Sequence, residues 1–168
     1  DSYFGHLPQA NPQAASAHEF FWQARLAPQL ERAQKWLSSS DLARFETLRQ
    51  RLPELIPPEA PALVHGDLWH GNIVYTHTET TPQNTSLQPA IPALIDPAAT
   101  FSHREVDLAA MTLFGGVSER VFDAYHEAFP LAAGWRERTH LWNLYPLLAH
   151  LNMFGASYLP KVQSSLEK

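Results

Sequence analysis

The sequence predicts a mostly α chain with a few short β-strands, an α+β class, and three observations carry that expectation. Apolar residues recur at helical spacing in the first third, short apolar runs bracket a polar loop in the middle third, and helical spacing returns after residue 96. With 168 residues, 45% of them hydrophobic and 17% charged, the chain can bury one sizeable core and is expected to form one unit, 1–168.

Taken in order, residues 1–16 hold the turn formers Gly5, Pro8, Asn11 and Pro12 and are expected as an irregular, extended lead-in. From Ala17 the residues Trp22, Leu26, Leu30, Ala33 and Leu37 share one helix face. Pro28 inside that pattern removes a backbone donor and crowds the preceding turn, which predicts a kink or two abutting helices. Asp41 is the candidate N-cap of a second helix carrying Leu42, Phe45, Leu48 and Leu52, with Pro53 as its stop. Pro57, Pro58 and Pro61 mark a loop.

The middle third has short strand-like runs at Ala62–Val64, Ile73–Tyr75 and Ala93–Ile95. Between the last two, the tract 76–92 is rich in Thr, Gln, Asn and Pro and is expected as an exposed loop. Helices are then predicted over Arg104–Phe114, Ser118–Phe129 and Trp135–Phe154, with Gly115-Gly116 and Gly134 between them and Pro146 bending the last.

Composition excludes several classes. The net charge of −5 argues against nucleic acid, whose phosphates are met by clustered Lys and Arg, and only Lys35, Lys161 and Lys168 are lysines. No cysteine is present, so disulfides, thiol catalysis and Cys-ligated zinc are out. Nine histidines include no H-x-x-x-H or H-E-x-x-H pair on a helix, and His6, His18, His77, His126, His140 and His150 are read as scattered surface or helix residues. No run approaches the roughly 18 apolar residues of a membrane span, and Asp1-Ser2-Tyr3-Phe4-Gly5 is unlike a signal peptide. The expectation is no membrane contact and a cytoplasmic location.

The chemistry concentrates in Leu63-Val-His-Gly-Asp-Leu-Trp-His-Gly-Asn-Ile-Val-Tyr75 and in Ala93-Leu-Ile-Asp-Pro-Ala98. Phosphoryl transfer needs a carboxylate to orient the acceptor hydroxyl and take its proton. It also needs oxygen ligands for the divalent ions that bridge the nucleotide phosphates. The kinase template places an Asp, then a metal-binding Asn after four intervening residues, then a later metal-binding Asp. Asp67, Asn72 and Asp96 stand in that order, with Asp67 as catalytic base and Asn72 and Asp96 as metal and nucleotide ligands. Convergence of all three on one cleft is therefore expected.

Further residues narrow the likeness. His65-Gly66-Asp67-Leu68-Trp69 with Gly71-Asn72, Asp96-Pro97-Ala98, His103 to Ala109 and Leu113-Phe-Gly-Gly116 resemble fructosamine and ketosamine kinases. So do Gly5-x-x-Pro8-Gln9-x-Asn11, Arg25-Leu-x-Pro-Gln-Leu30 and the ending Leu151 to Pro160, so the resemblance covers nearly the whole chain. The His-Gly-Asp to Asn segment is shared with aminoglycoside and choline kinases. The resemblance implies the C-terminal lobe of a protein-kinase-like fold with the N-terminal lobe absent. It also implies ATP and Mg²⁺ as cofactors, and a ketosamine or glycated protein lysine, such as fructosyl-lysine, as acceptor. His70 departs from the Ser usual there. A second departure is the lack of G-x-G-x-x-G and of a strand lysine, which implies a chain inactive and a poor ATP binder without its N-lobe.

Plainer readings stand beside these. Asp67 and Asn72 are also ordinary turn residues, and Asp96 also suits a turn before Pro97. Asp107, acidic in an apolar helix, is read as structural support for the catalytic-loop backbone, with substrate contact as the alternative. Trp69 is either core or a wall of the acceptor pocket, with His70 beside it. Gly115-Gly116 is read as a helix stop with a tight turn. Trp135, Trp142 and Tyr145 are read as a packed helix face. The rival functions are another small-molecule kinase of the same superfamily and a non-catalytic remnant acting as an interaction module. Without an N-lobe, an apolar patch at Tyr3, Phe4, Leu7, Leu68 and Trp69 is expected to drive self-association or lobe pairing.

Overall fold

The computed structural model describes residues 2–76 and 90–168. Helices dominate and the strands are short, in line with the expected class. The lead-in is irregular only from residue 10 to residue 16: before that, β1 (Ser2–Phe4) and β2 (Leu7–Gln9) form an antiparallel hairpin, with Ser2 opposite Gln9 and Phe4 opposite Leu7. Gly5 turns it at φ 57°. Phe4 and Leu7 are buried in the core, and so is Leu68, while Tyr3 is exposed and Trp69 half-buried. The expected apolar patch is thus mostly inside the protein, because alternation in the hairpin turns Phe4 and Leu7 to one buried face.

After Ser16 caps it, α1 (Ala17–Phe20) runs into a π-helical turn at Phe21–Leu26 and then α2 (Ala27–Ala33). Pro28 explains the irregularity. It cannot donate to the carbonyl of Ala24, and that oxygen accepts instead from Arg25 Nη1 at 3.0 Å. The same Nη1 also donates to Ala10 O at 2.9 Å and Nη2 donates to Asn11 Oδ1 at 2.6 Å, so the Arg25 guanidinium fastens the lead-in.

Helix α3 (Ser39–Leu55) begins at Ser38, not at Asp41. Ser38 Oγ accepts from Asp41 N and Asp41 Oδ2 accepts from Ser38 N, so Asp41 is the third helical residue of a capping box. Pro53 does not stop the helix, which continues to Leu55 with the Ile56 amide bonded to Leu52 O.

Two further antiparallel pairs follow. Strand β3 (Ala62–Val64) pairs with β6 (Thr100–Ser102), and β4 (Ile73–Thr76) pairs with β5 (Ile91–Leu94). The third apolar run thus starts earlier than expected, β6 was not anticipated, and both ends of the 76–92 tract are strand. Residues 77–89 lie outside the described residues.

Helices α4 (Glu105–Leu113), α5 (Glu119–Ala128), α6 (Trp135–Phe154) and α7 (Leu159–Leu166) complete the chain, α7 being unforeseen. Helix α6 is the axis. It continues through Pro146 and packs on α2, α4 and α7, burying residues all round including Trp142, Tyr145, Leu148 and Leu151. Trp142 and Tyr145 are core, as the packed-face reading expects, and Trp135 packs beside Phe122 in a smaller cluster with Leu108.

A buried polar network joins α4 to α6. Glu105, only 2% exposed, accepts from Arg138 Nε at 2.8 Å, Arg138 Nη2 at 2.6 Å and Trp142 Nε1 at 3.0 Å. His103 stacks on Trp142 at 5.2 Å, and Arg104 Nε lies 2.6 Å from Glu59 Oε1, an ion pair outside hydrogen-bond angles. Burial pushes the Glu105 carboxyl up, but the Arg138 and Trp142 bonds outweigh it and hold it below the ordinary range.

Removing that carboxylate leaves Arg138 and the indole N–H without their partner. Glu105→Ala is expected to cost about 3 kcal/mol in urea unfolding at neutral pH. Since the folded pKa is depressed, the contribution is present above the ordinary glutamate range and fades as pH falls through the folded value. The Glu105→Ala deficit should therefore shrink in acid, and a deficit under 1 kcal/mol at pH 7 would refute the network's role.

Candidate functional site

The loop between β3 and β4 is built around its backbone. Asp107, on the first turn of α4, accepts from His65 N at 2.7 Å and Gly66 N at 2.8 Å, one carboxylate oxygen to each amide. Burial pushes the Asp107 carboxyl up, and the two amides pull against it. Gly66 sits at φ 81°, and a Cβ there would lie 2.3 Å from Ala98 O, so only glycine lets the loop touch the Asp96-Pro97-Ala98 turn. His65 spans the same gap, its Nε2 2.9 Å from Ile95 O. Because a carbonyl only accepts, Nε2 carries the proton, which leaves Nδ1 to accept from Asp67 N at 3.4 Å.

Asp67 is half-buried. Asn72, buried on the 3₁₀ turn before β4, donates through Nδ2 to Asp67 O at 2.8 Å and to Asp67 Oδ2 at 3.3 Å. With the amide nitrogen committed, the Asn72 oxygen accepts no hydrogen bond among the described residues. Asp96 follows β5 and is exposed, at φ 52°. It is the one non-glycine residue with positive φ among the described residues, and its carboxylate makes no hydrogen bond or ion pair among them.

The register of β4 on β5 brings Asn72 and Asp96 together. Ile73 stands opposite Leu94, and the Ile95 amide donates to Asn72 O at 3.0 Å. Asp96 is also near enough to Asp67 to repel it. Burial is the main cause that raises the Asp67 carboxyl, Asp96 adds to it, and His150, Asn72 and His65 oppose it. The structure thus gathers Asp67, Asn72 and Asp96 at one place. An amide oxygen and an unpaired carboxylate are hard oxygen donors of the kind Mg²⁺ takes, so the residues fit a divalent ion bound with waters and phosphates.

Trp69 and His70 form the outer side of the loop. The Trp69 indole lies over Gly71, where a Cβ would come within 2.4 Å of the ring, and meets His70 and Phe114 edge-on at 4.9 and 5.6 Å. His70 docks on the turn after α4, with Nδ1 3.0 Å from Gly115 O and its ring against Gly116, at φ 88°. The tight turn expected at Gly115-Gly116 therefore also seats His70.

Three further residues shape the site, none of them given a role by the sequence alone. His150 is a helix residue of α6, one of the two places expected for it, and is not on the surface. It is half-buried among Phe4, Phe114, Phe154 and Tyr158 at 5.0–5.9 Å and acts electrostatically on Asp67. His65 carries a signal in its place beside Gly66-Asp67, whereas the Phe114–His150 contact joins two helices and leaves no local trace. Gln9 is the third. It accepts from Tyr145 Oη at 2.6 Å and donates to Ala98 O at 3.1 Å, tying the hairpin to α6 and to the Asp96 turn. Burial pushes the Tyr145 hydroxyl up to about 12, which keeps it a donor. Among the described residues no helix is long and apolar enough to cross a membrane, and no group of three His, Asp or Glu side chains is placed to hold a metal ion.

The fructosamine kinase family model matches residues 1–168. A protein named "Probable ketoamine kinase" from Enterococcus faecium is 36% identical over 172 residues, covering 99% of this chain and 58% of that protein. Mouse ketosamine-3-kinase is 32% identical over 157 residues, covering 92% and 47%. A crystal structure from Thermobifida fusca with a provisional fructosamine-3-kinase name superposes at TM-score 0.87 with 39% identity, over 99% of this chain and 55% of that one. The chain spans about half the length of the curated relatives it matches.

Gly66→Ala tests how tightly this loop is packed. It adds a Cβ against backbone at a left-handed φ, so stability should fall by about 3 kcal/mol in chemical denaturation. A change below 1 kcal/mol would mean the loop does not touch the Ala98 turn in solution.

Proposed function

Since the chain belongs to the fructosamine kinase family, we propose that it carries the acceptor-activating site of an ATP-dependent kinase that phosphorylates a sugar hydroxyl of ketosamines such as fructosyl-lysine. The observation that supports this most is the arrangement around Asp67: a half-buried carboxylate, fixed by the Asn72 amide, with the unpaired Asp96 carboxylate beside it.

On this reading Asp67 accepts a hydrogen bond from the acceptor hydroxyl and aims its oxygen at the γ-phosphorus. As the new O–P bond forms, the proton passes to Asp67 and the bond to the β-phosphate oxygen breaks, releasing ADP. Asn72 has two duties. Its Nδ2 keeps Asp67 in one rotamer, and its Oδ1, with Asp96, would hold divalent cation. Such an ion, when bound, offsets the negative charge of the phosphates. Asp107 and Gly66 position the loop without touching the reacting atoms. Trp69 offers an apolar face for the sugar ring. His70, turned onto Gly115, borders that face. The groups that cover the nucleotide, for which this sequence has no Gly-rich loop, come on this reading from another segment, the N-lobe of the kinase-like fold.

The test is kinetic, on the full-length protein with ATP, Mg²⁺ and fructosyl-lysine. Asp67→Asn keeps the shape and removes the proton acceptor, so kcat should fall on the order of 10²–10⁴-fold. Asp96→Asn should instead raise the Mg²⁺ concentration needed for half-maximal rate. The base must be ionised and its pKa is raised, so the wild-type rate should climb with pH through a value above the ordinary aspartate range. Near-wild-type turnover by Asp67→Asn would overturn the assignment. ATP-dependent turnover of an aminoglycoside or choline in place of the ketosamine would move the chain to a different acceptor class.

A further inference from the structure

The loop bearing Asp67 continues into a wall of rings flanked by a cation. From Trp69 the wall passes to Phe114 at 5.6 Å, from Phe114 to His150 at 5.5 Å, and from His150 to Tyr158 at 5.0 Å. The Lys161 ammonium flanks this wall on the α7 side, 5.7 Å from the centroids of both Phe114 and Tyr158. Lys161 lies in the first turn of α7, and its neighbour Val162 is fully buried, so the backbone that presents it is anchored. The side chain is exposed, and it makes no salt bridge or hydrogen bond among the described residues. Ring contacts occupy the faces of Phe114 and Tyr158 but use none of the three ammonium N–H donors.

The surface from the Asp67 loop to α7 therefore has a polarity: the Asp67 and Asp96 carboxylates on the loop side, aromatic rings between, and on the α7 side an ammonium with no carboxylate partner among the described residues. A ketosamine of a free amino acid has the matching order. Its sugar hydroxyl and protonated secondary amine belong beside the acidic end, its carbon chain along the rings, and its carboxylate on the ammonium. A glycated lysine inside a protein carries a neutral peptide bond where the carboxylate would be, and leaves Lys161 with nothing to bind.

We propose that Lys161 is the anchor for that carboxylate, so that the site takes glycated free amino acids in preference to glycated protein lysines. This rests on reading Asp67 as the acceptor base. It makes Lys161 a specificity-determining residue remote from the reacting atoms.

Calorimetric titration of the full-length protein with Nα-acetyl-Nε-fructosyl-lysine and with its C-terminal amide separates the possibilities. Both probes lack the α-ammonium, and they differ only in the carboxylate. The acid should bind roughly three- to tenfold tighter than the amide, as for a charged contact at a partly exposed site. The ratio should fall to about one in Lys161→Met and persist in Lys161→Arg. Taking the ratio within each protein cancels any general loss of folding. Equal binding of acid and amide by the wild type, tighter binding of the amide, or a preference that survives Lys161→Met overturns the anchor alone. If neither probe binds, the acceptor reading of the site falls, and the anchor with it.

Discussion

The site depends on one carboxylate that does not react. Asp107 takes the His65 and Gly66 amides on its two oxygens, and this holds the backbone that leads into Asp67. Amides withdrawn from water without an acceptor are costly, so moving the loop away from α4 is opposed by the loss of these part-buried bonds. Two residues earlier on the same helix, Glu105 holds Arg138 and Trp142 of α6. One turn of α4 thus clamps the reactive loop on one side and the central helix on the other. The position of Asp67 is set from the core outward.

The ion-binding side is set by a different device. Asn72 and Asp96 are far apart in sequence, but they stand at the open end of an antiparallel pair, just before β4 and just after β5. Pairing the strands necessarily brings these two residues together, whatever the connection between the strands does. Gly66 against Ala98, His65 on Ile95 and Gln9 on Ala98 then lock this unit to the loop. The left-handed backbone of Asp96 is a local cost that the packing on either side sustains.

Much of this was legible in the residues, for identifiable reasons. The long helix Trp135–Phe154 was legible from its glycine borders, and the strand–loop–strand around Asp67 from apolar runs flanking glycines. What escaped was short or non-local. Three-residue strands such as β1, β2 and β6 are too brief for alternation to stand out, and Pro8 disguises the second. The start of α3 was misplaced because Ser38 and Asp41 are two halves of one capping box, and either can be taken for the cap. Pro53 falls in the last turn, where the helix tolerates it. His150 gains its place near Asp67 only when α4, α6 and α7 meet, a contact no spacing rule encodes.

The claim that Asp107 sets the loop can be examined without any ligand, by amide hydrogen exchange in the wild type and in Asp107→Ala. The His65 and Gly66 amides should exchange at least tenfold faster in the variant, while amides in the body of α6 keep their protection. Unchanged protection at His65 and Gly66 in a folded Asp107→Ala protein would show that something else holds the loop, and the account would be wrong at its foundation.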